Sequence, residues 1–408
     1  MMGKNHRTAV RKENGMANGM TKRKTGFDIL RITAMLGIIL FHHFGSRMPN
    51  NFVQLSEGFS ETSYFYDFIN NTAVTAGVSK LSLVMDFCYG HLGDGGNFIF
   101  MLITGYFLFG HKISFPKRVR TAAKIFFAIL YYAAILTVID FILVRFFYPF
   151  SNAPSFRPIF TLPNWVGGEN VWYLQAYGIF ILVILPILKI FEDKLTRKTH
   201  LCLVAALILV NFFAYNTYLP NLWISYRMLN FIMCYYAGGY VAKYHVRVSG
   251  KKLFTALAVY MAAYFLYEYY WRFSSSAMWK PYEYSYINYM APFICTLSWG
   301  ALLFLIFNNI PSGKRGQTKL LTSLSSATIG ILIFHYNMID ISFLLADSFW
   351  WKDWSQKGYF RFCIIDSILL FAIGFLLDAG RKIVYAHIEA GAARRLCRQT
   401  GREEGGPQ

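Results

Sequence analysis

Residues 27–44 read FDILRITAMLGIILFHHF, from Phe27 to Phe44. Inside this apolar run, Arg31 and His42 stand eleven residues apart. At about 100° per residue, eleven steps bring a helix back to within roughly 20° of its starting direction. The two side chains therefore share a face, separated by roughly 16 Å along the axis. A cation and a titratable base are costly in hydrocarbon, so they either line a polar site or reach out to the headgroups. From these residues alone both readings stand. His43 points about 100° away from His42, which makes it the expected inert neighbour.

Working outward, the same apolar character fills the chain. Of 408 residues, 55% are hydrophobic and 15% charged, and the mean hydropathy is +0.36. Apolar blocks of roughly 20 residues suffice to cross a bilayer. Such blocks occur at 27–45, 93–110, 122–147, 172–190, 201–219, 228–245, 253–271, 288–308, 320–345 and 359–379. The fold class expected is all-α, a polytopic membrane protein of about ten transmembrane helices. Residues 81–92 form a further interfacial or re-entrant piece in this reading. Residues 1–26 are a basic cytoplasmic tail retained ahead of the first span, because no small-residue cleavage site follows the apolar run. Residues 27–380 are one membrane domain, and 381–408 are a cytoplasmic tail expected to be partly disordered.

The net charge of +19 does not point to nucleic acid, because of where the charge lies. With the N-terminus inside, the inside segments hold about 28 Lys and Arg and the outside segments about 9, which predicts N-in and C-in topology and contacts with anionic lipid. The external connections 46–92 and 148–171 are rich in aromatics, which suit a membrane interface and sugar stacking equally. The six cysteines show no metal-ligand or disulfide spacing, and no His-x3-His or Walker motif occurs. No metal cofactor is expected. Asp140 and Glu268 fall within apolar sequence and require partners or a cavity. Asp94 and Asn97 precede a Phe-rich run and suit either a vestibule or a helix cap.

Five segments, in order, carry a resemblance. The first is the Arg31-x10-His42 run, and the second is HLGDGGNFIFMLITGYFLFGHK with Thr104-Gly105-Tyr106. Then come Val171-Trp172-Tyr173-Leu174, and Arg227 followed by Ala237-Gly238-Gly239-Tyr240. Last is Ser326–His335, SATIGILIFH. Together they resemble the acyltransferase-3 family of integral membrane acyltransferases, which acylate surface polysaccharides and other extracytoplasmic acceptors. The resemblance implies a multi-pass protein of the cell membrane, of bacterial plasma-membrane type. It implies an O-acyltransferase that moves an acetyl or similar short acyl group from acyl-CoA to a glycan hydroxyl.

On that resemblance, His42 is the general base or a transient acyl carrier, and Arg31 holds donor phosphate or the carbonyl oxygen. Lys117, Arg118 and Arg120 grip coenzyme A on the cytoplasmic side, although Lys117 stands where the family has Arg and lacks its bidentate fork. The same three also suit plain positive-inside residues. Arg227, His335, Trp172 and Glu169 are expected at the acceptor, with Glu169 either orienting His42 or simply solvated in its loop. Arg227 equally suits a headgroup contact, and His335 a satisfied structural histidine. The partners implied are acyl-CoA, a surface or lipid-linked glycan, and membrane lipids. An alternative of another class is a non-catalytic polysaccharide exporter or flippase, which shares the topology and basic inner loops but needs no base at His42.

Overall fold

The structure is a computed structural model that describes residues 24–43, 80–146, 172–216, 223–274, 286–311, 317–346, 350–351 and 356–403. These residues form helices and short turns, with no strand among them. In chain order they are α1 (Thr25–Phe41), α2 (Lys80–Leu108), α3 (Phe115–Phe146), α4 (Trp172–Ile179), a π-helical turn (Phe180–Ile184) and α5 (Leu185–Glu192). There follow α6 (Arg197–Asn216), α7 (Trp223–Lys243), α8 (Gly250–Ser274), α9 (Tyr286–Asn308), α10 (Gln317–Ser326), α11 (Thr328–Leu345) and α12 (Gln356–Glu403). Helix occupies every apolar segment singled out in the sequence.

Three stretches, Phe115–Ile139, Trp172–Glu192 and Lys357–Ala392, are long and apolar enough to cross a membrane on length and composition alone. Large side chains such as Phe126, Phe141, Val183, Phe213, Leu266 and Leu376 point outward from four of the helices and the π-helical turn. So broad an apolar exterior is unstable in water and suits lipid. The protein is a helical membrane protein.

Helix α1 is the shared strut of the bundle. Its Phe27, Leu30 and Ala34 pack into a cluster with α2, α4, α5, α7 and α9. Its Met35, Ile38 and Ile39 pack into a second cluster with α3, α4, α11 and α12. Between apolar helices in lipid, close van der Waals fit rather than water exclusion supplies cohesion, so small residues mark the contacts. Two of the sequence motifs meet for this reason. A Cβ on Gly105 of α2 would lie 2.5 Å from the Tyr235 carbonyl oxygen of α7, and one on Gly238 would collide with the Leu102 carbonyl oxygen.

Three features depart from the sequence expectation. Residues 81–92 are not a separate re-entrant piece but the first turns of α2, continuous through Gly93, Gly95 and Gly96 because those glycines sit against α1 and α9. The segment 320–345 breaks at Ala327, where a stretch rich in Ser and Thr competes for backbone groups. The segment 172–190 widens into the π-helical turn just before Pro186, whose missing N–H cannot continue the ladder. The last helix, the 48-residue α12, runs through Glu403.

The end of the bundle where α1 begins is basic: Lys24, Lys112, Lys117, Lys194, Arg197, Lys243 and Lys251 lie at helix ends or turns there. Buried Glu192 ties these turns together, accepting from the Gly110 N–H at 2.9 Å, from Lys189 Nζ and from the Tyr235 hydroxyl. Replacing Gly238 with Leu forces α2 and α7 apart. The Gly238→Leu protein is expected to lose about 1–3 kcal/mol of stability or more, read as a lower melting temperature of the detergent-solubilised protein.

Candidate functional site

At its far end α1 opens into a wider turn over His42 and His43, a departure often found where a side chain is re-aimed for function. His42 Nδ1 lies 3.1 Å from Nε2 of His335 on α11. His335 Nδ1 in turn lies 2.9 Å from the Ile331 carbonyl oxygen. A carbonyl only accepts, so His335 carries its proton on Nδ1, and in the neutral ring its Nε2 is an acceptor. His42 then donates from Nδ1 and holds its lone pair on Nε2. The Phe41 ring, 5.0 Å away, and the Tyr336 ring, 5.2 Å away, meet the His42 ring edge-on. This arrangement can take up a proton at His42 Nε2 and stabilise the imidazolium through His335.

His43 is not the inert neighbour its direction suggests. It is 1% exposed, with Nδ1 2.9 Å from the Ile39 carbonyl oxygen and Nε2 2.8 Å from Asp366 Oδ2 on α12. The same carboxylate oxygen accepts from Ser342 at 2.7 Å, and the Tyr359 hydroxyl donates to the His43 carbonyl oxygen at 2.5 Å. Both ring nitrogens face acceptors, so the ring is held from both sides. Helices α11 and α12 thus grip the end of α1 at two points, His335 on His42 and Ser342 with Asp366 on His43.

Arg31 sits toward the other end of α1, 27% exposed at its side chain, with Nη1 3.5 Å from Asp28 Oδ1. Asp28 is buried and accepts from the Ser325 hydroxyl at 2.7 Å. The hydroxyls of Tyr173 and Tyr177 on α4 lie within electrostatic range of Arg31, and Tyr177 pairs with Thr104 of α2. Arg31 and His42 thus lie toward opposite ends of α1, roughly 16 Å apart along its axis.

The Arg227 guanidinium stacks 3.4 Å over the Trp172 ring and lines a small cavity with Asp94, Asn97 and Asn230. The Asn97 amide lies 3.5 Å from Asp94 Oδ1, so both face the cavity and neither caps a helix end. Glu169 lies outside the described residues, as do the side chains of Asp140 and Glu268. Lys117, Arg118 and Arg120 occupy the first turns of α3 at the basic end, far along the bundle from His42. Arg120 pairs with Glu389 of α12 at 2.6 Å. Asp28 and Asp366 were not singled out in the sequence. Both are acidic residues in apolar runs, the signal that picks out Asp140.

A family profile described as an acyltransferase domain, Acyl_transf_3, matches residues 24–377, most of the chain. The chain belongs to the acyltransferase-3 family. No curated protein and no solved structure matches it. As a membrane acyltransferase of this family, it carries Arg31, His42, Arg227 and His335 within the matched span, while Asp378 and Glu389 fall beyond it.

Breaking a buried ion pair by removing one partner costs about 3–5 kcal/mol. The His43→Ala protein is expected to show a marked drop in folded yield and melting temperature. Thr33→Ala, an exposed position on the same helix, is expected to change neither; size-exclusion profiles of the two proteins check this.

Proposed function

We propose that the protein transfers an acetyl or similar short acyl group from acyl-CoA, bound at the basic end, to a hydroxyl of a cell-surface polysaccharide or other extracytoplasmic glycan. The observation that carries the proposal is the His42–His335 contact with its fixed order of donors and acceptors. It supplies what O-acylation from a thioester needs, a base held in one tautomer.

His42 Nε2 takes the proton of the acceptor hydroxyl as its oxygen attacks the thioester carbonyl carbon. The tetrahedral intermediate collapses with cleavage of the C–S bond, and the departing thiolate takes the proton back from the His42 imidazolium. The products are the O-acyl glycan and coenzyme A, with no change in oxidation state. His335 Nε2 accepts from His42 Nδ1 throughout and steadies the transient charge. Arg31, backed by Asp28 and Ser325, stands where the pantetheine arm or thioester oxygen would pass. A separation of roughly 16 Å from His42 is one that a pantetheine chain spans.

The excess of Lys and Arg at the α1-start end supports that end as cytoplasmic, with N-in and C-in topology and all ten helical segments crossing. Coenzyme A, a polyanion, would meet Lys117 and Arg118 there. Arg120 is already shared with Glu389.

The test is acyl content of surface glycan by mass spectrometry in cells lacking the protein and in cells restored with each variant at matched abundance. Wild type and Thr33→Ala are expected to restore acylation. His42→Ala is expected to lose it by about 100-fold or more, the scale of a missing general base. Glycan retained inside the deletion strain but exported again by His42→Ala would establish the exporter and overturn this reading. In purified protein, neutralising Lys117 and Arg118 together is expected to raise the donor KM with little change in kcat. Glu389→Gln, which releases Arg120, is expected to lower it; donor titrations check both.

A further inference from the structure

Among the described residues, three pack against both apolar clusters while remaining only partly buried: Phe100 of α2 and Tyr173 and Tyr177 of α4. Protein encloses the two tyrosines on all sides, yet each keeps accessible surface. So do Thr104 beside them and Arg31 on α1. Surface retained at the centre of a bundle faces space between helices, and here that space lies between α1, α2 and α4.

The packing of α2 on α1 gives its level. A Cβ on Gly96 would lie 3.0 Å from the Ala34 carbonyl oxygen and against Ile38, two residues that stand between Arg31 and His42. Phe100 lies one turn further along α2 toward the basic end, and the Tyr173 ring sits 6.5 Å from its ring. Thr104, a further turn along, carries the hydrogen bond with Tyr177. Phe107 follows, its ring 5.8 Å from the Arg31 guanidinium. The two tyrosines thus stand between the levels of His42 and Arg31, on the route a donor arm takes from the basic end.

Their hydroxyls state what that arm offers. Thr104 donates to the Phe100 carbonyl oxygen at 2.9 Å, so in the Tyr177–Thr104 bond the tyrosine supplies the proton and keeps its lone pairs as an acceptor. Tyr173 lies four residues earlier, on the same face of α4. Its hydroxyl has no hydrogen-bond partner among the described residues and is free to donate. A neutral donor and a neutral acceptor one helical turn apart suit a secondary amide. A trans amide points its C=O and N–H in opposite directions, the first toward Tyr173 and the second toward Tyr177. The pantetheine arm of coenzyme A carries two such amides between its thiol and its phosphates.

We propose that Tyr173 and Tyr177 hold a pantetheine amide of the acyl donor, and so set how far the thioester reaches toward His42. The inference rests on the acyl-CoA donor of the reading above. Isothermal titration calorimetry on the full chain in detergent tests it with two probes. One is coenzyme A. The other is an adenosine bisphosphate, which carries nucleotide phosphates and no arm.

Tyr173→Phe keeps the ring against both clusters and removes only the hydroxyl. It is expected to melt at the wild-type temperature, to bind the bisphosphate as wild type does, and to bind coenzyme A about tenfold more weakly, the loss of one hydrogen bond. Tyr177→Phe is expected to weaken coenzyme A alone in the same way, and carries the test should Tyr173→Phe fail to fold. Coenzyme A bound equally by wild type and both variants overturns the amide contact while leaving the donor in place. Equal weakening of both probes also overturns it, because the tyrosines would then shape the fold around the phosphates. If wild type binds neither probe, the acyl-CoA donor itself is rejected and the inference falls with it.

Discussion

A polar group among lipid-facing helices has no water to fall back on, so each must find its partner inside the protein or face a cavity. This constraint orders the interior. Asp28 holds Ser325 and Arg31, joining α1 to α10. Asp366 holds His43 and Ser342, joining α1 to α11 and α12. His335 holds His42. Every one of these ties ends on α1, the helix whose apolar residues are shared by both packing clusters. The helix carrying the reactive candidates is thereby held from several sides, and a base held in one tautomer needs that rigidity.

How much of this could be read from residues alone divides along a physical line. Features local to one helix were legible: the shared face of Arg31 and His42 follows from helical pitch, and the apolar blocks mark the helices. Features that depend on which helices meet were not. His335 stands out as a histidine deep in an apolar run, but nothing in the order of residues says that it faces His42. His43 lies off the Arg31 face, correctly, yet its partner is more than three hundred residues away. Asp366 and Asp28 were legible in principle, since an acid in apolar sequence signals a partner. The helix interruptions at Phe180–Ile184 and Ala327 were half legible, through Pro186 and the Ser-rich stretch before Thr328.

The glycine motifs give a different lesson. Thr104-Gly105-Tyr106 and Ala237-Gly238-Gly239-Tyr240 are separate signatures in the sequence, yet in space they are one contact, backbone against backbone between α2 and α7. Their role is to bring helices close, which in turn sets the spacing of Asn97, Met101 and Asn230 across the cavity. Packing and chemistry therefore draw on the same residues.

Helix α12 runs for 48 residues without a break, roughly 72 Å at 1.5 Å per residue, more than twice the roughly 30 Å of a hydrocarbon core. It carries Asp366 near one end of α1 and, roughly 35 Å further along, Glu389 against Arg120 at the basic end. One unbroken helix thus places the partner of His43 and the partner of Arg120 on a single element, so the spacing between the two ends of the bundle is set by helical rise alone along that edge.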